Sequence, residues 1–183
     1  MTQRAASVAV VGVGSPDRGD DGAGPAVARR VERAVGGTAG VTIVAGTDPL
    51  HLLDAVAGVA EVHVVDACRS GAPPGTVHRL DATAGAGACL SVAGAGRRSS
   101  HGVGIADALE LARALGRLPP TVVVHAIEAE SCDLGAGLSP AVEAAVEAVA
   151  AELVAAVRAA CGTAVREASG QGIDRTARPL HRA

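Results

Sequence analysis

Two adjacent carboxylates, Asp20 and Asp21, sit in the glycine-rich stretch GVGSPDRGDDGAG, residues 12–24. A third, Asp66, ends the apolar run EVHVVD, residues 61–66, and His101 stands at the start of a helix-like segment. Carboxylate oxygens and one imidazole nitrogen make a partial coordination sphere for a borderline divalent metal, with positions left open for water or substrate. That is the pattern of a working site, not of a closed structural one. A helix N-terminus beside His101 disfavours imidazolium and leaves a ring nitrogen free to ligate. The same helix-end field tolerates Asp20 and Asp21, one capping backbone N–H groups while the other turns to a ligand. Plainer roles stand beside these: a solvated cap pair for Asp20 and Asp21, a turn residue for Asp66, a surface or capping histidine for His101.

A phosphate site is the obvious competitor, because the turn opens as G-x-G. The third glycine position of a dinucleotide fingerprint is occupied by Asp17, however. A pyrophosphate would face Asp17, Asp20 and Asp21 at short range, so carboxylates on this turn suit a cation instead. His63 and His125 fall inside strand patterns and read as packing or sheet-face residues, while His51, His78 and His181 carry no signal. Cys68, two residues past Asp66, reads as a buried inert thiol or as a neighbour in the same crevice. Glu128 and Glu130 either line that crevice or are solvated loop carboxylates. No GxSxG elbow and no Cys-His arrangement supports a serine or cysteine nucleophile.

The elements that must position these groups follow from alternation. β-branched runs at 6–13, 41–45, 61–66 and 121–127 alternate with helical patterns, which means parallel strands with crossover helices. A shorter strand at 76–82 follows the turn signal GAPPG. Helices are expected at about 21–35 (Val27, Val31, Ala34 and Val35 inward), after Asp48-Pro49 (Leu52, Leu53 and Val56 inward), and at about 102–116 (Ile105, Leu109, Ala112 and Leu115 inward). The last starts with Ser139 as cap and Pro140 in its first turn, and buries Val142, Val146, Val149, Leu153 and Val157. Residues 83–100 read as a mobile glycine-rich loop. The fold class is therefore α/β: one three-layer domain over residues 1–161, a mostly parallel twisted sheet flanked by helices, with 162–183 as a disordered tail. In an open sheet of this kind the ligand crevice lies at the carboxyl ends of the parallel strands, where Asp20, Asp21, Asp66 and His101 all fall.

Composition narrows the chemistry. With no Phe, Tyr or Trp and a formal net charge of -3 over 183 residues, nucleic acid is excluded as a partner. All 16 cationic residues are Arg, which removes a P-loop lysine and a Schiff-base lysine. Four scattered cysteines (Cys68, Cys89, Cys132, Cys161) without CxxC spacing fit reduced thiols in the cytoplasm. No apolar run reaches the roughly 18 residues that a transmembrane span needs, so no membrane partner is expected.

Taken in order, GVGSPDRGDDGAG, VVDACRSG, SSHGVGIADALELA and LSPAVEAAV resemble the motifs of the hydrogenase maturation endopeptidases, over about residues 7–150. The resemblance implies an aspartic-type endopeptidase that trims the C-terminal extension of the large-subunit precursor of a nickel-iron hydrogenase. It makes Asp21, Asp66 and His101 the metal-binding and catalytic trio, the same three selected by their places at strand ends. It further implies that the nickel is supplied by the substrate precursor, with no tightly bound cofactor of the enzyme's own. Ser15 departs from the family's usual asparagine, which leaves the hydrogen bonding of the turn open. Three other readings remain: a metallohydrolase holding its own divalent metal, a non-catalytic nucleotide-binding or regulatory α/β module, and a catalytically idle paralogue that only chaperones the large subunit.

Overall fold

A computed structural model describes residues 7–46, 48, 50–83 and 104–170, the side chains of residues 51 and 162–170 excepted. His101 and residues 84–100 of the anticipated mobile loop lie outside the described residues. The strands are β1 (Val8–Val13), β2 (Val41–Gly46), β3 (Glu61–Cys68), β4 (Val77–Asp81) and β5 (Thr121–Glu128). The helices are α1 (Ala23–Val35), α2 (His51–Ala55), α3 (Ile105–Ala114) and α4 (Pro140–Gly170). One sheet holds all five strands in the order β2-β1-β3-β5-β4. β1 pairs in parallel with β2 and β3, β3 pairs in parallel with β5, and the edge strand β4 runs antiparallel to β5.

Side chains alternate across this sheet and divide the core in two. Ala9, Val11 and Val13 of β1 join Val62, Val64, Val122 and Val124 beneath Leu52 and Val56 of the α2 segment and Ile105 and Leu109 of α3. Val8, Val10, Val65 and Ile127 face the other way, against Val27 and Val31 of α1 and Val146, Leu153 and Val157 of α4. Burial of these aliphatic side chains, at roughly 1.5–3 kcal/mol each, is what holds the layers together in a protein without aromatic residues.

Two inward assignments differ from the sequence reading. Ala34 and Leu115 are both exposed, Leu115 by 53%. Leu115 caps the C-terminal end of α3, and Ala34 lies in the last turn of α1, at the edge of the stripe centred on Val31. α4 also stays helical to Gly170, past residue 162, where apolar periodicity ends. Ala164, Arg166, Glu167 and Ala168 are strong helix formers, so propensity extends the helix where no apolar stripe requires it. No helix among the described residues is long and apolar enough to cross a membrane.

The approach of α1 to the sheet depends on Gly24. A Cβ there would lie 2.3 Å from the Val13 carbonyl oxygen and 2.4 Å from that of Val65. Both obstacles are backbone of central strands and cannot rotate away. Gly24→Ala is expected to cost about 3 kcal/mol, the upper end of overpacking, read as a lower urea midpoint at unchanged slope. A loss under about 0.5 kcal/mol would show that α1 can shift freely.

Candidate functional site

β2 and β3 lie on opposite sides of β1, so the strand order reverses between β1 and β3, the point at whose carboxyl ends open α/β sheets form their ligand crevice. The 14–22 turn leaves β1 at this point, and Asp66 belongs to the neighbouring β3. The turn starts on Gly14, whose φ of +132° is open to glycine alone and whose missing Cβ leaves room for the Asp21 carbonyl. A short 3-10 turn, Gly19–Gly22, then carries both aspartates into α1.

Asp20 and Asp21 have separate fates. Asp20 is 1% exposed and accepts hydrogen bonds from the backbone N–H groups of Glu130 (2.9 Å), Ser131 (3.1 Å) and Ser139 (2.6 Å), and from the Ser139 hydroxyl (3.0 Å). Burial alone would raise its pKa, but these donors outweigh it and hold the carboxyl below the ordinary aspartate value. Asp20 is thus a clasp between the turn and the 130–139 loop, with its oxygens committed. The Ser139 hydroxyl, anticipated as a helix cap, donates to Asp20. Asp21 is partly exposed and takes one backbone bond, from Ser15 N–H at 2.9 Å. The backbone of Ser15 makes this contact, so an asparagine side chain is not needed for it.

Asp66 shares the face of Val62 and Val64 at the rim of the crevice. Strand β3 does not end there but runs on to Cys68, because β5 continues beside it to Glu128. Burial pushes the Asp66 carboxyl up to about 7; a bond from Ala67 N–H opposes the shift, and the charge of Asp21 adds to it. Two of the three anticipated ligands therefore act on one another across the switch point. A carboxyl with this pKa exchanges its proton near neutrality, as suits a general base.

Beyond Asp66, Glu128 is neither solvated nor in a loop. It is 3% exposed, and its carboxylate accepts from Ser70 N–H (2.8 Å), Gly71 N–H (2.9 Å), the Ser70 hydroxyl (2.8 Å) and the Cys68 thiol (3.3 Å). Burial opposes ionisation, but the donors prevail and set its pKa at about 2. The Cys68 thiol, buried and beside Glu128 and Asp66, is pushed up to about 12. His78 Nε2 lies 3.6 Å from Glu128. The signal that marks this cluster is a glutamate closing an otherwise apolar strand, TVVVHAIE, residues 121–128. Glu130, by contrast, is exposed.

His63 and His125 belong to the other face of the sheet. Both are buried, His63 Nδ1 lies 3.2 Å from His125 Nε2, and burial lowers both pKa values, that of His125 to about 4. They are a buried pair on the face opposite Asp66, and His63 Nε2 also lies 3.1 Å from the Glu61 carboxylate. Cys68, Cys132 and Cys161 are free thiols.

The chain matches the family model HycI, hydrogenase maturation protease, over residues 25–156, a span that includes Asp66 and His101 and begins after Asp21. Its fold is similar to that of the hydrogenase maturating endopeptidase HybD from Escherichia coli, at 26% identity and a TM-score of 0.68, over 83% of this chain and 92% of that one. HybD from Thermococcus kodakarensis, a nickel-iron hydrogenase maturation protease, gives 27% identity and a TM-score of 0.62, over 82% and 98% of the two chains. HycI from Thermococcus kodakarensis KOD1, at 22% identity and a TM-score of 0.65 over 81% and 90%, shares the fold. A comparison with curated proteins returned no match. A family model that spans most of the chain, on a sheet shared with solved endopeptidases, makes this chain a member of the hydrogenase maturation protease family and a peptide hydrolase.

Proposed function

We infer that this enzyme removes the C-terminal extension from the large-subunit precursor of a nickel-iron hydrogenase, and that it selects the mature precursor by ligating the nickel already installed there. Asp21, Asp66 and His101 are the ligands, and the nickel is part of the substrate. The observation that supports this most is the placement of Asp21, in the turn after β1, beside Asp66 on the neighbouring β3, close enough for the charge of one to raise the pKa of the other. Among the described residues no ion pair engages either carboxylate, and a divalent cation would supply the countercharge.

Docking brings the scissile bond beside the trio. Nickel held by Asp21, Asp66 and His101 would supply a Lewis acid beside the scissile carbonyl that water attacks. Asp20 is unsuited to take the water's proton, since four donors already occupy its oxygens. Asp21 and Asp66 are the carboxylates left to do so. The thiol pattern suits a cytoplasmic setting.

The reading is tested by incubating the purified protein with precursor, loaded with nickel or free of it, and following the released C-terminal peptide by mass spectrometry. Cleavage is expected of the loaded form alone. Equal processing of both forms would end the nickel-recognition claim, and no processing of either would end the substrate assignment.

A further inference from the structure

Three strands bring together a donor set that the proposed nickel ligands do not include. Cys68 at the end of β3 and Glu128 at the end of β5 are register partners, and His78 on β4 pairs with Ala126, two residues before Glu128. Cys68 Sγ is 3.3 Å from Glu128 Oε2, His78 Nε2 is 3.6 Å from the same oxygen, and one ligand atom from each residue lies within 4.8 Å of the other two. Tetrahedral coordination with bonds of about 2.0–2.3 Å requires ligand atoms roughly 3.3–3.8 Å apart. The cluster is near that spacing without any ion.

We propose that Cys68, His78 and Glu128 form a second divalent cation site, one this protein holds itself, for a zinc-like ion such as Zn²⁺, Co²⁺ or Ni²⁺. The donor set selects the ion: thiolate and imidazole disfavour magnesium and calcium, and a carboxylate completes a sphere typical of borderline metals. Orientation is built in, because Ser70 and Gly71 N–H groups fix Glu128 Oε1 at 2.8 and 2.9 Å, while Oε2, held by the Ser70 hydroxyl at 2.8 Å and the Ser70 N–H at 3.0 Å, is the oxygen nearest Cys68 and His78 and would exchange the Ser70 hydroxyl for the ion. Cys68 and Glu128 are 4% and 3% exposed, whereas the His78 side chain is 28% exposed, so an ion enters past the imidazole. Binding forms a sulfur-metal bond at the place of the sulfur-hydrogen bond. The thiol proton, which in the free protein points at Glu128, leaves to solvent. Three protein ligands leave a fourth position open on the His78 side, for water or a group from a docked partner.

A thiolate ligand separates this site from the oxygen-rich trio. Metal-free, reduced, full-length protein is titrated with Co²⁺ alone and followed in the near ultraviolet, where thiolate-to-cobalt charge transfer absorbs. A band is expected in the wild type and in Asp21→Ala, and its loss is expected in Cys68→Ser with Cys89, Cys132 and Cys161 intact. His78→Ala alters a side chain on an edge strand and leaves the core in place, so it reports on the site if Cys68→Ser fails to fold. It is expected to weaken Co²⁺ binding at least about tenfold. Absence of the band, its survival in Cys68→Ser, or unchanged affinity in His78→Ala would overturn the assignment. None of these outcomes depends on whether the precursor is cleaved.

Discussion

Asp20→Ala is expected to lower the unfolding free energy by about 3–5 kcal/mol, the cost of breaking a buried charged cluster and leaving its partners unsatisfied. Three backbone N–H groups and a hydroxyl lose their acceptor, all between the 14–22 turn and the 130–139 loop. For a domain of this size the melting temperature should fall by roughly 10 °C. Asp20→Asn should recover little, because the amide NH₂ would point at N–H donors that need an acceptor. Sign matters for the pH dependence. The folded pKa is held below the ordinary value, so the charge contributes fully above the unfolded pKa of about 4 and its contribution is lost as pH falls through the depressed value. The gap between wild type and Asp20→Ala should therefore be constant through neutral pH and narrow in acid. A loss under about 1 kcal/mol, or a gap that widens in acid, would mean that the loops are joined by something else. Processing should fall with stability, since the turn that the clasp anchors also carries Asp21.

Those contacts explain why the turn was only half legible. The position of the turn after β1 follows from local features: an apolar strand, then glycines and acids. Which aspartate does what does not, because Asp20 finds its partners more than a hundred residues away, in a loop with no periodicity of its own. The same holds for Glu128 and His78. Glu128 closes an apolar strand and His78 sits among the polar residues of TVHRLD, and only the order β3-β5-β4 brings them together with Cys68. Strands and core faces were legible because their signal is periodic and repeated: Val62, Val64, Val122 and Val124 report the same face as Ala9, Val11 and Val13. Asp66 lies between these cases. Its place near a strand end was readable from EVHVVD, but the two further residues of β3 depend on a neighbour strand, as does the burial that raises its pKa.

Asp66→Asn should cut processing sharply and make the protein more stable at the same time. The carboxyl titrates near 7 in the fold and near 4 in the unfolded chain, so between those values the folded state binds the extra proton. Stability contributed at this position is thus present below pH about 4 and declines as pH rises to about 7. The gap between the two values corresponds to at most about 4 kcal/mol. Asp66 is partly open to solvent, so a penalty on the order of 1–3 kcal/mol above pH 7 is the appropriate scale. An isosteric amide carries no charge and removes it. Urea melts of the two proteins should coincide near pH 4 and diverge toward pH 8 in favour of Asp66→Asn. Precursor cleavage, in contrast, should fall by roughly 10²–10³-fold, the scale on which one group that stabilises developing charge acts. A structural aspartate would behave in the opposite way, losing stability on substitution as Asp20 does, so the pair of measurements separates the two roles. Near-normal cleavage by Asp66→Asn would remove it from the site, and a less stable variant at pH 8 would show that the fold depends on its charge.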